Sequence, residues 1–309
     1  MKNAKPFLFA VTAVSVIVLL LGVGTLSVRA DKPDPHKPVH ATDVVLVKKV
    51  TLKGGRPPGA GGKKSTEAAT GVLGTPLSGT RYAIVVGISD YPGTDSDLEY
   101  ADDDADEVTS VLAYAYGFSN IATLKDGAAT RSAIMAAIDA VQAQAGEDDE
   151  VVFFFSGHGM NGFADDGDDE KTDEAIVTHD GTKMVPMWDG ELKTAFSDFG
   201  TSRIVFIFDV CLAGGMDDLQ ESGRVVLMAS GERGYSYEGD QWENGEFTYY
   251  FAQIGIRTGD ANIHDYNTNG VLSSEPAQVS AEEAFDYAKA NCRADRPVIG
   301  DSFTDDLLP

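Results

Sequence analysis

Two runs of five consecutive apolar residues stand out in the pattern of the chain. They span residues 151–155 and 204–208, and every member is β-branched or aromatic. Neither run alternates with polar residues, which is typical of a strand buried on both faces in the centre of a parallel sheet. A third apolar run, residues 82–88, precedes them. The pattern therefore predicts at least three core strands.

Segments with helical features alternate with these strands. Helices are predicted over residues 102–116, 130–145, 187–199, 247–257 and 280–291. Shorter strands are predicted over residues 121–124 and 224–229, and a long acidic loop is expected after residue 156. Thr130 is a suitable N-cap and Ser280 opens a capping box, so two helices have defined starts. The alternation predicts a doubly wound, mainly parallel α/β sheet of about six strands with helices on both faces.

The first 30 residues have the pattern of an export signal. Lys2 and Lys5 precede an uncharged apolar run over residues 7–28, and Val28-Arg29-Ala30 matches a cleavage site. We expect cleavage after Ala30. The apolar run is also long enough to span a bilayer, so an uncleaved anchor stays open as an alternative. Either way the protein is expected to be exported (secreted, periplasmic or at the cell surface), touching a membrane only through this segment.

Residues 31–80 differ in composition from the rest of the chain. Proline and glycine are frequent, and eight Lys or Arg residues stand against four acids. Residues 44–52 are predicted to form one strand, and the remainder a flexible linker or pro-segment. A basic segment attached to an acidic body either folds back onto that body or acts as an inert spacer. The folded domain is expected over residues 81–309.

Charge and cysteine content narrow the function further. The formal net charge is −25 and the pI is near 4.3, which excludes a nucleic-acid partner because phosphate binding needs a basic face. The acids indicate a solvated surface, with attraction of cationic substrates and calcium binding as further interpretations. Cys211 and Cys292 are the two cysteines. If Cys211 is a nucleophile, no pair of cysteines remains for a structural disulfide. Separately, we expect the protein to be a monomer.

Reactive side chains follow the two core runs. His158 comes directly after the first run and Cys211 after the second, 53 residues later. Because ligands bind at the carboxyl ends of strands in open α/β sheets, the two side chains are expected to meet there. A thiol beside an imidazole suggests a cysteine nucleophile with a histidine base. The backbone N–H groups of Gly159 and Cys211 are candidates for an oxyanion hole. Either residue alone would more often be an ordinary core residue.

These residues carry a resemblance to a known family. Ser156-Gly157-His158-Gly159 and Asp209-Val210-Cys211 resemble the motifs of caspase-like cysteine peptidases (clan CD, peptidase C14), most closely the metacaspase branch. The resemblance covers about residue 81 to the end and implies the caspase-like version of the predicted fold. The sequence departs from the metacaspase pattern in Leu212-Ala213-Gly214-Gly215 after the cysteine and in Ala101.

The acid two residues before the nucleophile predicts the specificity. In a strand, residues i and i+2 lie on one face, so Asp209 should point into the same crevice as Cys211. A carboxylate there favours arginine or lysine at the P1 position of protein or peptide substrates, arginine bidentately. The resemblance places Asp104 and Ser156 in the same pocket. The alternative for Asp209 is a helix N-cap or a structural acid at the strand end.

The resemblance also implies a possible cofactor. Metacaspases often need calcium, and the candidate ligands here are Asp173, Asp180 and Asp218, because carboxylate oxygens suit this ion. We expect an exported cysteine endopeptidase. The alternatives are a caspase-like peptidase with another P1 preference and a weakly active or inactive caspase-like protein that serves as a calcium-binding surface scaffold.

The distribution of basic residues predicts how the chain matures. Caspases are cut between the cysteine-bearing strand and the next one, but this connection, residues 212–223, holds no Lys or Arg, whereas residues 48–64 hold six. We therefore expect the domain to work as one chain, with self-processing confined to the region before Arg81. N-terminal sequencing of incubated wild-type protein and of Cys211→Ala checks this. A cysteine-dependent fragment that starts between residues 213 and 224 contradicts it, and one that starts between 49 and 65 supports it.

Overall fold

The computed structural model describes residues 34–53, 67–167 and 170–309. The predicted signal or anchor, residues 1–30, lies outside these ranges, and so does most of the Gly/Pro-rich stretch that follows Lys53. Within the ranges described, no helix is both long enough and apolar enough to cross a membrane.

The described residues contain thirteen strands and five α-helices. The strands are, in chain order, β1 (Ala41–Val47), β2 (Val50–Leu52), β3 (Arg81–Gly87), β4 (Asn120–Lys125), β5 (Glu150–Ser156), β6 (Gly159–Ala164), β7 (Asp173–His179), β8 (Met184–Trp188), β9 (Ile204–Asp209), β10 (Arg224–Met228), β11 (Tyr237–Gly239), β12 (Asn244–Gly245) and β13 (Val298–Asp301). The helices are α1 (Ala101–Tyr116), α2 (Arg131–Gln142), α3 (Asp189–Phe196), α4 (Glu246–Thr248) and α5 (Ala281–Asn291). A π-helical stretch, Tyr249–Ile256, continues α4.

The central sheet has six strands in the order β13-β10-β9-β5-β3-β4. All neighbours in it are parallel except β13, which pairs antiparallel with β10. The two apolar runs are the adjacent strands β5 and β9, and every residue of both is buried. The predicted doubly wound, mainly parallel sheet is therefore confirmed.

Helices cover both faces of this sheet. Phe153, Phe206 and Phe208 pack on one face with apolar residues of α2 and α3. Phe154 and Ile207 pack on the other face with residues of α1, α5 and the π-helical stretch. Successive residues of a strand point to opposite faces, so an unbroken apolar run is what two covered faces require.

The helix starts follow the local capping signals. The hydroxyl of Thr130 accepts the N–H of Ala133 at 3.2 Å, and Ser280 and Glu283 form the predicted capping box. The helix expected over residues 187–199 begins instead at Asp189. The two residues before it belong to β8, and the carboxylate of Glu191 caps the helix by accepting the N–H of Trp188 at 2.9 Å.

A second sheet occupies the place of the expected acidic loop. It is antiparallel, with four strands in the order β1-β6-β7-β8. Its strands are short and include glycine, acidic residues and a proline, which are residues that strands usually lack. These strands are stabilised by pairing with one another and by packing against the apolar cluster that Phe153, Phe206 and Phe208 form with α2 and α3. The local sequence does not reveal either kind of contact.

Residues 34–53 are packed against the domain. The strand expected over residues 44–52 is two strands: β1 pairs with β6, and β2 pairs with β11 in a small third sheet. Lys48 and Lys49 lie between them, where the chain passes from one sheet to the other. This part of the predicted linker or pro-segment is thus ordered structure against the acidic body.

Close packing of α1 on β3 predicts a stability effect at Gly87. A Cβ atom on Gly87 would lie 2.2 Å from the carbonyl oxygen of Ala101. Gly87→Ala should therefore lower the free energy of unfolding by about 1–3 kcal/mol, measured by urea denaturation. Gly127→Ala is the matched control, since no atom lies within 4 Å of its new Cβ, and its stability should equal or slightly exceed that of the wild type. Equal losses in the two variants would contradict the packing argument.

Candidate active site

Turns at the carboxyl ends of β5 and β9 carry the predicted catalytic dyad, His158 and Cys211. The sheet register pairs Ser156 with Asp209, so β5 and β9 end side by side in the sheet. His158 and Cys211 each lie two residues beyond the end of their strand. Gly159 lies against the second turn, because a Cβ atom there would be 2.0 Å from the carbonyl oxygen of Cys211. Glycine is therefore required at 159 for the two turns to approach.

His158 and Cys211 lie at the two ends of one peptide group, that between Lys48 and Lys49. The Sγ atom of Cys211 is 3.3 Å from the carbonyl oxygen of Lys48. The N–H of Lys49 donates to Nδ1 of His158 at 2.9 Å. A thiol near a peptide carbonyl and an imidazole near the same peptide nitrogen form the pattern of a nucleophile and its acid–base partner.

Hydrogen bonds at both ring nitrogens and one stacked aromatic ring fix the imidazole of His158. Its Nδ1 accepts from Lys49, so Nε2 carries the proton and donates to the carbonyl oxygen of Ser96 at 2.8 Å. The ring of Tyr91 stacks on it with centroids 4.9 Å apart, and the backbone N–H of His158 donates to the Tyr91 hydroxyl. Burial lowers the pKa of His158 to about 4, so the ring is neutral at neutral pH.

The thiol of Cys211 is buried and protonated in this arrangement. It accepts the N–H of Ser236 at 3.2 Å and faces the carbonyl oxygen of Lys48. Burial raises the pKa of the thiol to about 12. Because a cysteine reacts as a nucleophile through its thiolate, the thiol of Cys211 is unreactive in this arrangement.

A buried acidic pocket lies beside the thiol and holds the side chain of Lys49. The Nζ atom of Lys49 is 2.8 Å from a carboxylate oxygen of Asp209, 3.0 Å from the hydroxyl of Ser156 and 3.3 Å from a carboxylate oxygen of Asp104. The side chains of Lys49, Asp104 and Asp209 are all 0% exposed. The structure therefore brings together the three residues predicted for the P1 pocket, around a primary ammonium group.

Electrostatics favour a charged lysine in this pocket. Burial opposes the charge on Lys49, but the attraction of Asp209 and Asp104 outweighs it and raises the lysine pKa. Burial also opposes the negative charge on Asp209. The attraction and hydrogen bond of Lys49 outweigh this effect, so the pKa of Asp209 lies below its usual value. Burial raises the pKa of Asp104 to about 7 in spite of Lys49. Asp209 is thus the ionised partner.

Hydrogen bonds hold Asp209 independently of the lysine. Its carboxylate accepts from the hydroxyl of Ser236 at 2.6 Å and from the hydroxyl and the N–H of Thr248 at 2.7 and 3.1 Å. The N–H of Gly245 donates to Asp104 at 2.7 Å. These contacts fix the pocket acids in place for a cationic side chain.

Sequence reasoning missed three further buried acids around the pocket. Glu238 accepts the hydroxyl of Thr51 at 2.7 Å. Asp295 accepts the N–H groups of Tyr237 and Phe247 at 2.9 and 3.0 Å, and Glu246 accepts those of residues 293–295 at 2.7–2.8 Å. They tie the chain segments that wall the pocket to one another. Their roles could not be predicted from the sequence, because their hydrogen-bond partners are distant along the chain.

Glu246, Asp295 and Cys292 also form a compact cluster of possible metal-ligand atoms, within 4.8 Å of one another. The two carboxylates are already engaged by backbone N–H groups, and Sγ of Cys292 is 3.8 Å from the carbonyl oxygen of Glu246. The cluster therefore acts as a structural brace.

The structure does not bring the three calcium candidates together. Asp173 opens β7 and accepts the N–H of Ala164 at 2.7 Å. Asp180 follows the other end of that strand, which separates it from Asp173 by roughly 20 Å, and it caps the turn at Thr182. Asp218 pairs with Lys193 at 3.1 Å. One ion cannot bind all three acids, so they do not fit a single calcium site.

The low pKa of His158 predicts a pH dependence of stability. The unfolded chain binds a proton at this residue below its usual pKa of 6.5, whereas the folded chain does so only near pH 4. Acidification from pH 6.5 to 4 therefore removes stability, by about 3 kcal/mol for the whole shift. His158→Gln should lose this part of the decline, so its free energy of unfolding should fall less steeply than that of the wild type. Urea denaturation between pH 7 and 4.5 measures both slopes, and parallel curves would contradict the assignment.

Comparison with known proteins agrees with this architecture. The family model described as Peptidase_C14, caspase domain, matches residues 80–287, and no curated protein matches the chain. The crystal structure of protein GSU0716 from Geobacter sulfurreducens is similar, with a TM-score of 0.54 and 16% sequence identity over 74% of this chain and 95% of that one. This second likeness supports the fold alone. The family match spans more than half of the chain, which confirms the resemblance drawn from the strand-end motifs: the chain belongs to the caspase-domain family of cysteine peptidases.

Proposed function

We propose that the protein is an exported, metacaspase-like cysteine endopeptidase that uses Cys211 and His158 and cleaves after lysine or arginine. The observation that carries the specificity is the Lys49 ammonium group inside the pocket of Asp104, Asp209 and Ser156. This pocket lies beside the thiol and accommodates a full lysine side chain out of contact with solvent. A substrate side chain of the same chemistry would occupy it in the same way.

The proposed reaction begins with removal of the thiol proton. Nδ1 of His158 takes the proton from Sγ of Cys211, and the sulfur attacks the carbonyl carbon of the scissile bond. The oxyanion forms beside Gly159 and the backbone of Cys211, whose N–H groups are the proposed donors. His158 then gives its proton to the leaving nitrogen as the C–N bond breaks. Water, deprotonated by the same imidazole, hydrolyses the thioester and restores the thiol.

The tautomer seen here suits this cycle. Nε2–H of His158 donates to the carbonyl oxygen of Ser96 at 2.8 Å, which leaves Nδ1 as the basic nitrogen. When Nδ1 gains a proton, the Ser96 carbonyl still accepts from Nε2 and stabilises the imidazolium. Ser96 is therefore a positioning residue that acts through its backbone.

Specificity for basic residues follows from the charge of Asp209. A neutral P1 side chain would leave this ionised carboxylate buried without a countercharge, and an acidic one would add repulsion. Arginine can bond two carboxylate oxygens at once, so both basic residues fit. Caspase-like selectivity for aspartate is therefore disfavoured.

Localisation, assembly and calcium rest on sequence reasoning. We propose export by the N-terminal 30 residues and a monomeric enzyme. Calcium activation stays a prediction from the resemblance, and because the three candidate acids do not form one site, no catalytic step is assigned to the ion.

Substitutions in the dyad and the pocket test the proposal. Because Lys49 fills the pocket, they are compared in a parent chain that carries Lys49→Ala, with fluorogenic peptides that differ only at P1. Cys211→Ala and His158→Ala should each abolish hydrolysis. Asp209→Asn should lower kcat/KM for lysine and arginine peptides by about 30-fold or more, because a desolvated charge pair is lost.

Asp139→Asn is the matched control, since it makes the same chemical change at a half-exposed acid on α2. Its P1 profile should equal that of the parent. An unchanged profile in Asp209→Asn would remove this residue from the specificity pocket, and near-parent turnover in either dyad variant would overturn the catalytic assignment.

A further inference from the structure

The chain's own residues 47–52 occupy the cleft where a substrate would bind. Lys49 fills the acidic pocket, and β2 continues from it along β11. The N–H of Val50 donates to the carbonyl oxygen of Ser236 at 3.0 Å, and the Thr51 hydroxyl donates to Glu238 at 2.7 Å. Pocket, thiol and neighbouring strand edge are all engaged by this one segment.

The segment runs through the cleft in the direction that does not allow cleavage at the pocket residue. In a productive complex, the residue in the P1 pocket presents its own carbonyl carbon to the thiol, and the bond that breaks follows it in the chain. Here the peptide group at the dyad precedes Lys49: the Lys48 carbonyl oxygen faces Cys211, and the Lys49 N–H faces His158. The bond after Lys49 leads to Val50, whose N–H is bonded to Ser236.

The peptide bond between Lys48 and Lys49, although close to the dyad, lacks the specificity contact. Its cleavage would require the side chain of Lys48 in the acidic pocket. That side chain instead donates to the carbonyl oxygen of Asp95, and Lys49 already fills the pocket. Neither peptide bond next to Lys49 is therefore placed for cleavage.

We propose that residues 41–52 form an inhibitory strap that holds the protein inactive by placing Lys49 in the P1 pocket with the chain reversed relative to a substrate. The inhibitory role of the strap rests on the proposed peptidase function, because it takes the acidic pocket to be the P1 pocket of a substrate.

Three elements of the active site are blocked at once. The P1 pocket is full, Nδ1 of His158 is occupied by the Lys49 N–H, and the Cys211 thiol is covered by Lys48. In this state the base cannot take a proton from the thiol, because its one lone pair already accepts a hydrogen bond. Substrate binding and proton transfer both require the strap to leave.

Contacts on both sides of Lys49 anchor the strap. On one side, β1 pairs with β6 through its two ends, with an irregularity between Thr42 and Val45. Before β1, the guanidinium group of Arg131 donates to the carbonyl oxygens of Pro35 and His36 at 2.7 and 3.2 Å. On the other side, β2 pairs with β11, and Lys53 bonds to Glu99. Because the strap is part of the chain, it competes with substrates at a high effective concentration.

The strap also sharpens the maturation prediction made from the sequence. Cuts after Lys48 or Lys49 are excluded by the binding geometry. The next basic residue, Lys53, has a side chain that is 67% exposed, and the basic residues at 56, 63 and 64 lie outside the described residues. Processing of this region is therefore expected only after Lys53 or beyond.

Alkylation of Cys211 tests occlusion without relying on peptidase activity. Full-length protein is treated with iodoacetamide, and the modified peptide is quantified by mass spectrometry over time. Lys49→Ala should raise the rate at Cys211 at least tenfold, because the pocket anchor is lost. Lys49→Arg should retain the slow rate, since arginine keeps the ion pair.

Lys37→Ala is the matched control, because it removes a lysine from the same N-terminal region at a position that is 81% exposed. It should react at the wild-type rate, and circular dichroism should show all four proteins folded. A wild-type rate in Lys49→Ala would overturn the strap.

Hydrolysis by the same proteins separates the strap from the proposed function. Lys49→Ala should cleave an arginine peptide at least tenfold faster than the wild type. Faster alkylation with no hydrolysis of any basic peptide would contradict the peptidase while supporting the strap. Rapid hydrolysis by the wild type with no increase in Lys49→Ala would support the peptidase and contradict the strap.

N-terminal sequencing tests the reversed direction. The wild-type protein should stay uncut at residues 48–50 after long incubation. A fragment that begins at Lys49 or Val50 in the wild type and is missing from Cys211→Ala would overturn the reversed orientation.

Discussion

The ion pair between Lys49 and Asp209 is the interaction on which the active site depends. Both side chains are fully buried, with their charged atoms 2.8 Å apart. Desolvation of two charges costs several kcal/mol, and their attraction offsets this only when the remaining hydrogen-bonding capacity is filled. Here Ser156, Asp104 and the Asp209 carbonyl complete the shell of the ammonium group. Removing the lysine alone leaves an uncompensated acid, which a basic substrate or water must satisfy.

The sheet register sets the geometry of that pair. Ser156 and Asp209 are partners at the ends of β5 and β9, so a hydroxyl and a carboxylate point into the same pocket. A slip of one residue would turn every side chain of a strand to the other face. The slip is prevented by the phenylalanines of the two strands, because Phe153, Phe206 and Phe208 interlock on one face. Core packing thus fixes the position of the turns that carry His158 and Cys211.

Local patterns in the sequence identify the parts of the fold that depend on local physics. Unbroken β-branched and aromatic runs predicted β5 and β9, and hydroxyl caps predicted the starts of α2 and α5. The strands β6–β8 were missed, because their polar residues become buried only through pairing and through contacts such as that of Asp173 with Ala164. The π-helical turn after α4 was likewise read as an ordinary helix, since its apolar residues fit either period.

The same limit applies to the site. Motif spacing brought His158, Cys211 and Asp209 to one crevice, and folding back of the basic segment onto the acidic body was one of two open alternatives. Which lysine enters the pocket depends on partners 55 and 160 residues away in sequence, and no local rule selects Lys49 over Lys48. The pairing of β1 and β2 on either side selects the lysine, because it directs the side chain of Lys49 into the pocket and that of Lys48 towards Asp95.

Occlusion and chemical inactivity of the dyad have a common physical cause. Burial lowers the pKa of His158 to about 4 and raises that of Cys211 to about 12, so proton transfer from sulfur to imidazole is strongly unfavourable while the strap is in place. In the proposed mechanism, displacement of the strap removes the contacts of Lys48 and Lys49 with both groups, which reduces the desolvation that separates the two pKa values. The imidazole then becomes more basic and the thiol more acidic. In the proposed mechanism, one movement of the strap therefore empties the acidic pocket, frees Nδ1 of His158 and makes proton transfer from Cys211 more favourable.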